Sequence, residues 1–106
     1  MLNRIKTLLG ITDTAQDDLL REIIDIITAR VKMFILEESL PEDLEYVVVE
    51  ASVNRFNRLR SEGTTSHSVE GESWTWADDD LAAYKDDLQA WIDAQANKKK
   101  GRVRFL

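Results

Sequence analysis

Cysteine is absent from this 106-residue chain, which excludes a disulfide framework, thiolate zinc sites and cysteine nucleophiles. The same absence leaves the compartment open, because a chain without thiols suits either redox state. Proline occurs once and glycine four times, so little interrupts long helices. No apolar run approaches the ~20 residues of a membrane span, and no signal-peptide pattern opens the sequence. Histidine occurs once. These shortages predict a soluble, cytoplasmic protein. What is present is a globular balance, 43% hydrophobic and 32% charged, enough for one modest core in one domain of ordinary size.

Charge is divided unevenly. The net charge is −6, but residues 98–106 hold Lys98, Lys99, Lys100, Arg102 and Arg104 and no acid. Residues 1–97 therefore carry −11. An acidic body argues against a nucleic-acid-binding face, which should be basic. A small protein split this way is expected to dock on something, with residues 1–97 as the domain and 98–106 as a basic arm.

Apolar spacing predicts mostly helix. Leu2, Ile5, Leu8 and Leu9 recur at helical steps, and Gly10 stands where a C-terminal cap belongs. Thr14 with Asp17 reads as a capping box. From Leu19 to Ile35, apolar residues recur every three or four positions, predicting a helix over 15–36. Ser39 with Glu42 repeats the capping signal around Pro41 and opens a third helix over 41–60. Asp78, Asp79 and Asp80 introduce a fourth, with Leu81, Tyr84, Leu88, Trp91 and Ile92 on one face. Between the last two, residues 62–76 alternate in character around Glu70-Gly71 and read as a β-hairpin or extended loop. The fold class is a small, mainly α bundle of about four helices.

The third helix is apolar on two faces. Leu44, Val47, Val48, Ala51 and Leu59 share one, while Tyr46, Val49, Val53 and Phe56 lie opposite. Either its own neighbours wrap it, or the second face packs against another subunit. The second reading is preferred here, because a small domain has little protein with which to cover both. It makes Val49, Val53 and Phe56 a subunit interface, substantially exposed in the isolated chain, with Trp74 and Trp76 beside them. These tryptophans lie among acids rather than lysines and arginines, which suits packing better than base stacking.

Chemistry has few candidates. His67 is flanked by Ser66 and Ser68, whose side chains in extended backbone point away from it, so they form no nucleophile–base pair. The run Asp78–Asp80 lacks EF-hand spacing and fits helix capping and the helix dipole. Arg55, Arg58 and Arg60 fall near a helix C-terminus, where the dipole favours cations. No phosphate loop, HExxH or nucleophile elbow is present. A non-enzymatic protein with no cofactor and no metal is expected.

The order of local signatures is more specific. Leu8-Leu9-Gly10-Ile11-Thr12 precedes Asp17-Asp18-Leu19-Leu20, then Leu40-Pro41, then Asn54-Arg55-Phe56-Asn57-Arg58-Leu59-Arg60-Ser61-Glu62-Gly63 and Ser68-Val69-Glu70-Gly71-Glu72-Ser73. This succession, as far as about Leu88, resembles the head–tail connector (adaptor) proteins of tailed bacteriophages and prophages. The resemblance implies a helical bundle with a protruding loop. It also implies a virion protein, made in the host cytoplasm, that forms a dodecamer-like ring of identical subunits beneath the portal. Such a ring joins the head to the stopper or tail-completion protein, and DNA passes through its bore without specific binding. No membrane is involved. Arg102, Val103, Arg104 and Phe105 alternate charge and bulk, the period of a strand. The arm, 98–106, is expected to be disordered in the free subunit and to dock on the portal or a ring neighbour, where these residues can add to a sheet edge. A small regulatory protein-binding module is the alternative, and it needs no ring.

Overall fold

The computed structural model describes residues 1–61 and 80–104. Four α-helices make up the bulk of them: α1 (Leu2–Leu9), α2 (Asp17–Ile35), α3 (Glu45–Ser61) and α4 (Lys85–Arg104). Short 3₁₀ turns, Glu42–Leu44 and Ala82–Tyr84, lead into α3 and α4. No strand occurs among the described residues. The hairpin expected over 62–76 lies outside them, together with His67, Trp74, Trp76, Asp78 and Asp79.

Gly10 ends α1 as its position predicted. Its φ of 72° is left-handed, its N–H donates to Thr7, and the Ile11 N–H donates to Lys6 at 2.9 Å. This is a Schellman turn, and glycine enters it without a Cβ penalty. The Lys6 ammonium then reaches Asp17 at 2.8 Å, tying the end of α1 to the start of α2, where a carboxylate also suits the dipole.

The two capping boxes do not form. Gln16, not Thr14, precedes the first residue of α2, and no side chain caps it. The Asp13 carboxylate instead accepts from the Ala15 N–H at 3.1 Å, and Asp17 N–H donates to the Thr14 carbonyl. Asp13 is the better competitor for local backbone donors, so the turn runs on and the helix starts two residues later than the spacing predicted. Pro41 stays extended with ψ 143°, and the chain tightens into a 3₁₀ turn before α3, again without a side-chain cap.

α3 is the centre of the molecule. α1 and α2 pack against it, and Asp80, Tyr84 and Asp87 bond to its Arg55, Glu50 and Tyr46. The partners on α3 fall as those after it rise, so the fourth helix runs antiparallel to α3. This wrapping covers both apolar faces. Val49 is 3% exposed and Phe56 1% exposed in the single chain, contrary to the exposure expected of them. Only Val53, half-buried, and Tyr46 keep surface on that side. The core otherwise comprises Ile5, the Leu20–Ile23–Ile27–Val31–Ile35 stripe of α2, Val47, Val48, Leu59, Leu81 and Leu88.

One polar atom of α3 sits badly in this core. The Ser52 hydroxyl is fully buried and has no hydrogen-bond partner. Leaving it so costs about 1–3 kcal/mol, and alanine is also the better helix former. Ser52→Ala is expected to stabilise the free subunit by about 1–2 kcal/mol, read as a rise in urea midpoint at constant m-value. An unchanged or lowered midpoint would mean that the hydroxyl is satisfied in solution.

α4 departs most from the sequence-based expectation. Helix continues through Asn97 and Gly101 to Arg104, so Arg102, Val103 and Arg104 are helical in the single chain rather than extended. Four alternating residues are too short a signal against a run of lysine, alanine, glutamine and arginine, all good helix formers. A lone interior glycine costs only ~1 kcal/mol. Phe105 lies outside the described residues.

Candidate assembly surfaces

A buried ion cluster anchors the start of the fourth helix to the end of the third. Asp80 is 0% and Arg55 8% exposed at the side chain, with Arg55 Nε 2.7 Å from one carboxylate oxygen and a terminal nitrogen 3.2 Å from the other. Arg58, half in solvent, adds a third contact at 2.9 Å. Bidentate pairing of this kind fixes orientation as well as distance. Ser61 ends α3 only three positions beyond Arg58, so the cluster ties the last turns of α3 to residue 80. Capping and the helix dipole are the sequence-based account of these residues; in the fold Arg55 and Arg58 both bond to Asp80. Arg60 stays apart, its guanidinium 5.5 Å over the Phe56 ring.

Two tyrosines continue the seam. Tyr84 donates to Glu50 at 2.9 Å and Tyr46 to Asp87 at 2.5 Å. Tyr46 is pushed up to about 12, first by its bond to Asp87 and then by burial. Tyr84 is also pushed up to about 12, first by burial and then by its bond to Glu50. Each phenol is thus harder to ionise folded than unfolded, where it titrates near 10. Their stabilisation is complete below about pH 10 and is lost as pH rises through about 12. Stability is expected to fall more steeply over that window in the parent protein than in the Tyr46→Phe/Tyr84→Phe variant. Equal slopes of denaturation midpoint against pH would count against the seam.

Surface character changes along α2. Its exposed residues begin as Asp18, Arg21, Glu22 and Asp25 and finish as Ala29, Met33 and Phe34, with Leu36 just beyond the helix. Leu36 takes a left-handed φ of 59°, unusual for a leucine. Acids flank this apolar end, with Glu37, Glu38, Glu42 and Asp43 all exposed. The distal half of α4 differs again. Among its described side chains Leu88 is the last that is fully buried, Trp91, Ile92 and Gln95 are half-buried, and Lys98 is exposed.

Of the interface residues expected from sequence, the structure places Val49 and Phe56 in the core and leaves Val53 partly accessible. Arg102, Val103 and Arg104 lie together in the last turn of α4. Sequence reasoning missed the pairing of Arg55 with Asp80, though a signal existed. Arg55 continues the spacing of Leu44, Val48, Ala51 and Leu59, and an arginine inside an apolar stripe calls for a carboxylate.

No helix among the described residues is long and apolar enough to cross a membrane, and none of their His, Asp and Glu side chains group as a metal site. Residues 1–91 match the family model of the phage gp6-like head-tail connector protein. The chain belongs to that family, a family of structural proteins acting at the junction of phage head and tail. No curated protein and no solved structure matches it.

Proposed function

We propose that this subunit assembles as a ring of identical copies beneath the portal, joins the capsid to the stopper and tail, and continues the DNA channel. The family match over residues 1–91 carries this reading. Charge supports it, since a body at −11 over residues 1–97 repels phosphate and lets DNA pass without sticking. The subunit is a virion component that meets its partners in the host cytoplasm during assembly, and its basic C-terminal segment, 98–106, engages a partner at the junction. Surface left on α3 by Val53 and Tyr46 adds to the lateral contact, together with Trp74 and Trp76.

Electron microscopy of the protein mixed with its cognate portal tests the proposal. A ring capping the portal is expected, and no association at all would sink the connector reading. Truncation after Asn97 is expected to leave thermal stability within about 0.5 kcal/mol, as for surface changes generally, while association with the assembly falls sharply. Undiminished association would remove the segment from any docking role.

A further inference from the structure

We infer that the apolar end of α2, formed by Met33, Phe34 and Leu36, seats the basic C-terminal part of α4 from a second copy of this chain. The inference rests on the connector reading and names the partner of the arm. Met33 is 63% and Leu36 82% exposed, a concentration of apolar surface on a helix whose other exposed positions are largely charged. The left-handed backbone of Leu36 closes α2, with the Glu37 N–H donating to the Lys32 carbonyl at 3.1 Å, but that cap does not require an apolar side chain. A leucine held left-handed and in solvent is unfavourable twice over, where glycine would be strained by neither.

Charge selects the occupant. Between Lys32 and Arg55 the chain contains six acids and no base, and four of those acids, Glu37, Glu38, Glu42 and Asp43, are exposed beside the apolar end. Residues 98–106 contain five bases and no acid, interspersed with Val103, Phe105 and Leu106. One surface offers apolar area rimmed by acids, and the other segment offers apolar residues among cations.

The Tyr46–Asp87 bond sets the start of α3 beside residue 87. At 1.5 Å per residue, α4 then carries Lys98 about 16 Å and Arg104 about 26 Å further along. Its basic end is thereby carried past the α2–α3 turn of its own chain. A helical extension so polar has little to hold it together alone, and a neighbour's surface supplies what it lacks. Seat and arm are different surfaces of the same molecule, so the contact is heterologous, the type that repeats around a ring.

Because the chain has no cysteine, paired thiols report the contact directly. Leu36→Cys and Val103→Cys chains, mixed and oxidised both free and on the cognate portal, are expected to give heterodimers well above either homodimer. Charge reversal of the seat (Glu37→Lys/Glu38→Lys) should cut the yield about tenfold or more. Reversal of the arm (Lys98→Glu/Lys99→Glu/Lys100→Glu) should do the same, and combining the two should restore it. Circular dichroism of each variant checks that the helices persist. Heterodimer no more abundant than homodimer in both settings overturns the inference, as does failure of the double reversal to rescue. Portal binding without the cross-link leaves the connector reading standing and removes the seat. Cross-linking with no portal association does the reverse.

Discussion

Asp80→Ala is expected to cost the free subunit about 3–5 kcal/mol, the loss typical of removing one partner from a buried ion pair. Domains of this kind are stable by only about 5–15 kcal/mol, so the variant should unfold at a much lower urea concentration or fail to fold at room temperature. The deleted carboxylate is fully buried and receives Arg55 at 2.7 and 3.2 Å and Arg58 at 2.9 Å. Without it, a desolvated guanidinium faces a gap where its counter-charge stood. Asp80→Asn should be milder, since the amide oxygen still accepts one of these bonds. Coupling is the sharper readout. Asp80→Leu combined with Arg55→Leu should be markedly less destabilising than the sum of the two single changes, because the pair then leaves the interior together. Additive losses would show that the two side chains do not act as a unit. Arg58→Ala, which removes a half-exposed side chain and leaves Asp80 paired with Arg55, is expected to cost no more than about 1 kcal/mol.

Local signals in the sequence suffice where one interaction decides the outcome. The α2 stripe predicted a helix over 15–36 and the structure has Asp17–Ile35; Gly10 marked the end of α1 because a left-handed cap favours glycine almost alone. Capping by Thr14 and Ser39 was less legible, since neighbouring polar groups compete for the same few N–H donors. Three features needed tertiary knowledge. The wrapping of α3 depends on Leu81, Leu88 and α1 arriving from distant sequence, and two apolar faces on a helix do not reveal whether they meet the same chain or another. The Arg55–Asp80 pair joins residues twenty-five apart, beyond the reach of any periodicity. The exposed end of α2 was hidden for a different reason: Phe34 and Ile35 look alike as letters, and only the fold turns Ile35 inward and leaves Met33 and Leu36 outside.

Phe56→Ala is expected to destabilise the free subunit by about 3–5 kcal/mol, the usual loss for a large aromatic side chain removed from a closed core. Its ring is among the largest fully buried side chains of the described residues, and Arg60 stacks over it at 5.5 Å, a contact that adds about 0.5–1 kcal/mol at an exposed site. Val49→Asp should be at least as damaging, since it places a carboxylate in an apolar interior without a partner. Val53 lies on the same face of α3 but is only half-buried. Val53→Asp can keep its charge at the surface, and is expected to spare the helices while abolishing assembly. Measuring urea midpoint and native mass on the same samples separates core from interface. If Phe56→Ala keeps its midpoint within about 0.5 kcal/mol of the parent yet no longer assembles, Phe56 belongs to the subunit contact and not to the core. A Val53→Asp chain that loses its helical circular dichroism would place Val53 in the core as well, leaving the lateral contact to other surfaces, with the end of α2 the first to probe.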